Sequence, residues 1–293
     1  GHPERIGVYL GIPFCPTRCL YCSFPSNSIV KYKKSVDAYL SLLSEEMKGT
    51  AELIREKGLE VESVYLGGGT PTSLSEPQFE RYLQDVVRNF IADNPYLKEF
   101  SLEAGRPDSI TAGKLDTARA CGVTRISVNP QTMNDATLRL IGRCHTSRQV
   151  EDAFALAREK GFSNINMDLI AGLPYEGLES FKNSFNDIYA MKPDQLQLGF
   201  LKVLKGTRME KEALTHDIVH QKRPVYEVLS TKWLSYEDII RLKTVEETVE
   251  EYYNSGQFGL SLKFAEKLFD SPFDLYLSFG NFLREEGYRK AYY

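Results

Sequence analysis

An α/β chain built around a parallel sheet is the fold class predicted by two observations. Short runs of branched and aromatic residues recur at 6–11, 63–66, 99–103, 125–128, 164–170 and 195–201, the signature of buried strands. Between them lie longer segments with apolar residues at helical spacing. A strand–helix–strand alternation of this kind favours parallel pairing, and ligands then gather where the loops leave the carboxyl ends of the strands. Six strands are expected, with an eight-stranded closed barrel as the alternative.

Each element carries something at its end. The first strand runs into Cys15-Pro-Thr-Arg-Cys19-Leu-Tyr-Cys22, three cysteines spaced CxxxCxxC after the apolar stretch from Val8 to Phe14. Tyr39, Leu43 and Met47 mark the helix that follows. The second strand ends in Gly67-Gly68-Gly69-Thr70, and the third ends on Glu103. Gln131 and Arg143 flank a turn and helix after the fourth. Phe154, Leu156 and Ala157, before Gly161, belong to the helix leading to the fifth strand, which carries Asp168 late in its run. Beyond Leu201 strand signals fade and the chain becomes helix-like over 236–253, 261–269 and 273–286, with a high aromatic content, Trp233 included, that reads first as packing and more sharply as a flat platform for a macrocycle.

Three thiolates on one short loop suit an iron-sulfur cluster whose fourth iron is left open. They also suit zinc, with His2 or a more distant side chain completing the set. The glycine run either lets backbone approach a ligand or is a tight turn. It lacks the Lys and Ser/Thr of a P-loop and the full dinucleotide fingerprint, which argues against nucleoside triphosphates.

Composition excludes other classes. The chain has 293 residues, 42% hydrophobic content and a net charge of −4, enough for one barrel-sized domain or two smaller ones and without the basic footprint of a nucleic-acid binder. No apolar run approaches the length of a membrane span and no export signal is present, so a cytoplasmic protein with no membrane partner is expected. Cys121 and Cys144, the two cysteines outside the cluster of three, fit a reducing compartment and read as packing residues. His216 and His220, spaced i and i+4, lack the Glu of HExxH and read as a solvated helix face. The chain opens Gly-His-Pro without methionine and reads as an excised piece, which weakens His2 as a ligand.

The stretches GIPFCPTRCLYCSFPSN, YLGGGTPTSL, LEAGRPDSIT, RISVNPQTMNDATLRLIGRCHT and NINMDLIAGLP, in that order, resemble the radical S-adenosylmethionine (SAM) superfamily. Over residues 5–191 they resemble most closely its oxygen-independent coproporphyrinogen III oxidase and coproporphyrinogen dehydrogenase branch. The resemblance implies a partial (β/α)6 barrel over 1–201, followed by a small, mainly helical region over 202–293. It implies a 4Fe-4S cluster on Cys15, Cys19 and Cys22, and SAM contacted by Tyr9, Tyr21, Gly68, Gly69, Thr70, Glu103, Gln131, Arg143 and Asp168. The implied chemistry is reductive cleavage of SAM to a 5′-deoxyadenosyl radical that abstracts hydrogen. The implied partners are an electron donor and a small-molecule substrate, a porphyrinogen by analogy, whose propionate would lose carbon dioxide to leave a vinyl group. A different substrate, or a noncatalytic metal- or haem-binding role, are the alternatives. The final third departs from that branch: LQLGFLKVLKGTRM, YEVLSTKWLSYEDIIRLK and YYNSGQF resemble the C-terminal region of cobalamin-domain radical SAM proteins of unassigned function. The two resemblances meet near 192–196, like a junction of lineages, natural or engineered.

Overall fold

A computed structural model describes residues 4–288; His2 lies outside them. Six strands form one sheet in chain order: β1 (Arg5–Ile12), β2 (Glu60–Gly68), β3 (Glu99–Glu103), β4 (Arg125–Gln131), β5 (Ile165–Ala171) and β6 (Gln195–Phe200). The expected α/β architecture is present, and among the described residues β1 and β6 are edges and no eight-stranded closed barrel is formed. By contact density the chain forms two compact units. One holds the chain up to Asn129 with Arg143–Ile165, and the other holds Pro130–Gly142 with the chain from Asn166 onward.

In the first unit β1, β2 and β3 pair in parallel, with Tyr9 opposite Tyr65, Gly11 opposite Gly67 and Ile12 opposite Gly68. β2 begins earlier than its apolar run because charged residues at its start are held across the sheet: Arg5 reaches Glu60 at 3.1 Å and Glu62 at 3.5 Å, and Lys98 also pairs with Glu62. Helix α1 (Lys33–Glu56) buries Val36, Leu40, Leu43, Met47 and Ala51, a stripe at helical spacing. Helix α2 (Glu76–Val86) starts at a Ser75–Gln78 capping box. Helices α3 (Ala112–Ala120) and α5 (Ser147–Glu159) are capped by Thr111 and Thr146 side chains.

In the second unit β5 and β6 pair in parallel along their length, with Asp168 opposite Gln197. Helix α4 (Asp135–Leu140) is capped by Asn134, whose side chain accepts from Ala136 and Thr137 N–H. Helix α6 (Leu178–Ala190) packs its aromatic face on α10 (Pro272–Glu285): Phe185 meets Phe273 edge-on at 5.7 Å and Tyr276 at 6.0 Å. Helix α8 (Tyr236–Thr248) crosses α10 so closely that a Cβ on Gly280 would collide with the Thr244 side chain. A short helix, α7 (Arg208–Glu212), precedes the region and α9 (Gly259–Ala265) interrupts it.

Beside its helices the final third carries a short antiparallel ribbon, Val219–His220 with Val228–Ser230; two and three residues are too few to leave a periodic signal. Two expectations need correction. His216 and His220 share no helix: His216, itself buried, ends a 3₁₀ turn, Ala213–His216, and His220 sits in the ribbon. Cys144 is exposed rather than part of the core.

A buried carboxyl joins two loops of the second unit. Glu176 is 1% exposed, and one of its oxygens accepts from Thr132 while the other has no hydrogen-bond partner. Burial outweighs its bonds to Thr132 and Ser180 and pushes its pKa up from the usual 4.5 to about 7. The native state therefore keeps this proton to higher pH than the unfolded chain. The resulting stability is complete below about pH 4.5 and is lost as pH rises through 7, on the order of 3 kcal/mol. Glu176→Gln, fixed in the neutral form, is expected to flatten the pH dependence of thermal unfolding between pH 5 and 8 and to melt above the parent at pH 8. Parallel curves for the two chains would refute this account of Glu176.

Candidate functional site

The carboxyl ends of β1 and β2 are knitted together by backbone. Gly69 N–H donates to Ile12 C=O at 2.7 Å and Thr70 N–H to Phe14 C=O at 2.8 Å. No side chain fits between them: a Cβ on Gly69 would stand 2.6 Å from Phe14 O, 2.9 Å from Ile12 O and 3.0 Å from Cys15 Sγ. Gly68 adopts φ +102, a left-handed conformation that favours glycine, and a Cβ there would stand 3.0 Å from Ile12 backbone. The glycines thus bring the second strand's backbone against the cysteine loop.

The loop is anchored from several sides. Asn27 N–H donates to Pro13 C=O, Ile29 N–H to Cys15 C=O and Cys22 N–H to Cys19 C=O, while Tyr39 OH donates to Gly11 C=O at 2.6 Å. Arg106, 3% exposed, donates to Thr17 C=O at 3.3 Å and pairs with Asp108 at 3.2 Å. His145 Nδ1 lies 3.7 Å from Asp108, an ion-pair distance beyond hydrogen-bonding reach. Burial lowers the His145 pKa, and Arg143 and Arg106 add to the effect against the pull of Asp108. Lys114, also buried, donates to Thr72 C=O at 2.6 Å and Ser109 C=O at 3.0 Å, fixing the turn after the glycines.

Against this frame lie the three thiols. Cys15 Sγ is 3.4 Å from Thr70 Oγ1, and Arg143 Nη1 lies 3.9 Å from Cys19 Sγ. Burial pushes the Cys22 thiol up, and the charges of Cys19 and Cys15 push it further, so the three sulfurs feel one another. Among the described residues no three His, Cys, Asp or Glu side chains are gathered to hold one metal ion. A cluster makes a different demand, since each thiolate binds its own iron. The fit to a cluster rests on what is present: three thiols on one short loop, a guanidinium and a hydroxyl beside two of them, and no side chain on the glycine facing Cys15.

Beside the cysteine loop is a cavity of about 550 Å³, lined by Tyr9, Gly11, Phe24, Tyr65, Gly68 and Glu103 among others. That volume is within the range of small-molecule sites. Tyr9 is exposed and stacks on Tyr65 with ring centroids 5.9 Å apart. The Glu103 carboxylate lies over Gly67, where a Cβ would stand 2.8 Å from Oε2. The partial desolvation that remains at this exposed ring, together with Glu103, raises the Tyr9 pKa. Tyr21 is half-buried within the cysteine loop.

Of the residues named from sequence, the first unit thus holds Tyr9, Tyr21, Gly68, Gly69, Thr70, Glu103, Arg143 and the three cysteines, with Tyr9, Gly68 and Glu103 on one cavity. Gln131 and Asp168 belong to the second unit and are bound to each other, Gln131 Nε2 donating to Asp168 Oδ2 at 2.6 Å. Asp168 sits at the middle of β5 rather than late in it. Sequence reasoning missed Asn129. Its Oδ1 is buried without a partner, and its backbone C=O accepts from Arg143, as does that of Gly105. The signal was within RISVNPQT, where a polar residue interrupts a buried strand. Arg106 and Lys114 were missed too, since bonds to carbonyls distant in sequence, Thr17 and Thr72, leave no pattern.

Among the described residues no helix is long and apolar enough to cross a membrane. The profile of the radical SAM superfamily matches residues 9–188, and that of a protein family of unknown function, DUF4080, matches 214–292. The chain is 38% identical over 208 residues to the oxygen-independent coproporphyrinogen-III oxidase-like protein HemZ of Bacillus subtilis, covering 71% of this chain and 41% of that one. It is 35% identical over 229 residues to the heme chaperone HemW of the same organism, covering 77% and 59%. Its fold matches that of the Escherichia coli coproporphyrinogen III oxidase HemN with a TM-score of 0.66 and 29% identity, over 88% of this chain and 55% of that one. The chain thus spans roughly two to three fifths of the length of these relatives. The six-stranded sheet is accordingly the partial barrel expected from the sequence, and the chain belongs to the radical SAM superfamily, whose cofactors are a 4Fe-4S cluster and S-adenosylmethionine.

Proposed function

We propose that this chain is the core of a radical SAM enzyme that oxidatively decarboxylates a propionate-bearing porphyrinogen, with coproporphyrinogen III as the analogue to test first. The observation that carries the reading is the glycine cradle: Gly68 presses on Gly11 and Ile12, Gly69 presses on Phe14 and Cys15 where the cysteine loop begins, and the adjoining cavity takes in Tyr9, Gly68 and Glu103. In this reading the three cysteines hold the cluster, and SAM contacts Tyr9, Tyr21, Gly68, Gly69, Thr70, Glu103, Gln131, Arg143 and Asp168, to which we add Asn129. When bound, cluster and SAM together supply one-electron reduction of the sulfonium and hydrogen-abstracting chemistry.

The chain's own residues do the rest. Glu103 accepts hydrogen bonds from the SAM ammonium, and Arg143 pairs with its carboxylate while screening the Cys19 thiolate. Asp168, oriented by Gln131, accepts from ribose hydroxyls. The Gly68–Gly69 backbone lets the methionine portion lie close to the loop, and Tyr9 and Tyr21 flank it and exclude water. The barrel is read as 1–201 and the mainly helical region as 202–293, a division supported by the separate family matches at 9–188 and 214–292. An external electron donor and a soluble, cytoplasmic setting belong to the same reading.

Mass spectrometry of an anaerobic incubation with coproporphyrinogen III, SAM, a strong reductant and an electron acceptor tests the substrate. Loss of carbon dioxide and two hydrogens from a propionate supports it; unchanged substrate alongside SAM cleavage would reject it. The likeness to a heme chaperone favours a second reading, haem binding without turnover, for which a Soret shift on haem addition with no SAM cleavage is the expected sign.

A further inference from the structure

The reading above leaves substrate recognition unassigned, and the second unit carries a feature suited to it. Tyr175 follows β5 in the loop before α6, at a strand's carboxyl end. Its backbone is left-handed, φ +66, a conformation that costs a residue with a Cβ and concentrates at functional sites. The surrounding turn is pinned on both sides: Thr137 Oγ1 donates to Pro174 C=O at 3.3 Å, and Thr132 donates to the buried Glu176. The strained backbone presents a ring that is 56% exposed. That ring meets Trp233 at 4.6 Å and His216 at 6.3 Å, while His216 and Trp233 are 5.9 Å apart.

The segment that carries His216 and leads into Trp233 is basic in sequence. Residues 202–232 contain seven lysines and arginines against four acids, in a chain of net charge −4. Lys232, exposed beside Trp233, donates its backbone N–H to His216 C=O. His216 Nε2 lies 3.9 Å from Glu212, which is itself bound to Arg208 at 3.0 Å. Aromatic faces with cations nearby attract π-rich rings that bear carboxylates.

We infer that Tyr175 and Trp233, backed by the buried ring of His216, form a substrate platform that stacks an aromatic ring of a carboxylate-bearing substrate, with the basic 202–232 segment drawing in the carboxylates. The inference rests on the radical SAM reading and assigns residues to the substrate recognition that it leaves open. Trp233 is the only tryptophan in the chain, so intrinsic fluorescence reports on this platform.

The test titrates the full chain anaerobically with coproporphyrinogen III in 50 and 300 mM KCl. Parent, Tyr175→Gly, Tyr175→Phe and Cys19→Ala chains are compared, with melting temperature and 5′-deoxyadenosine formation read on the same samples. Saturable change in Trp233 emission is expected in the parent, in Tyr175→Phe and in the cluster-free Cys19→Ala. Affinity is expected to fall at least fivefold in Tyr175→Gly and to weaken at the higher salt. Glycine relieves the left-handed strain, so the Tyr175→Gly melting temperature is expected not to fall. No saturable change, undiminished affinity in Tyr175→Gly, or a melting temperature several degrees lower in that variant would overturn the platform. Saturable binding without SAM cleavage in the parent would refute the radical SAM reading alone, and cleavage without binding would refute the platform alone.

Discussion

Cys19→Ala is expected to abolish cluster assembly and, with it, SAM cleavage. Its sulfur stands beside Arg143 Nη1, and with Cys15 and Cys22 it makes up the set that would carry three irons. Two thiolates leave two irons open, and such a cluster is lost to water and oxygen. The anaerobically reconstituted variant should hold close to no iron against about four per chain in the parent. Cys19 is only half-buried and packs no core, so unfolding should change little, within about 0.5 kcal/mol. Iron content equal to the parent would overturn the ligand assignment, while a collapsed melting temperature would show that the thiol serves the fold.

Gly69→Ala is the second large effect, and it acts through shape. The added methyl meets Phe14 O at 2.6 Å, Ile12 O at 2.9 Å and Cys15 Sγ at 3.0 Å. Two of those are backbone atoms, fixed because Ile12 is in register with Gly68 and accepts from Gly69 N–H. Neither can swing aside, so the two strand ends must part. Overpacking of this kind costs about 1 to 3 kcal/mol, enough to lower the melting temperature by roughly 5 °C, and the shift of Cys15 should reduce iron retention as well. Gly49→Ala is the matched control. Gly49 lies inside α1 with nothing within 4 Å of the new methyl, so the same substitution should stabilise by about 0.5 to 1 kcal/mol. Effects of the same sign at both positions would contradict the cradle.

Much of this was legible in the chain because strong local signals coincide with tertiary ones. The six strands carry branched and aromatic runs, and the cysteine and glycine motifs stand at their carboxyl ends, where a parallel α/β sheet gathers ligands. The tertiary supports were not legible. β2 extends into Glu60 and Glu62 only because Arg5 and Lys98 pair with them. Arg106 and Lys114 hold the site through carbonyls distant in sequence, Thr17 for one and Thr72 for the other. Glu176 looks like any loop carboxylate until burial beside Thr132 is seen. The helix-spaced pair His216 and His220 shows the opposite failure, a spacing that tertiary structure ignores when a 3₁₀ turn ends on His216.

The most direct test of the central claim is 5′-deoxyadenosine formation by the anaerobically reconstituted chain with SAM and a strong reductant, with and without coproporphyrinogen III. Formation in the parent and none in Cys19→Ala is the expected result, and stimulation by the porphyrinogen would extend it to the substrate. A fully loaded cluster that yields no 5′-deoxyadenosine under either condition would contradict a catalytic core in this chain.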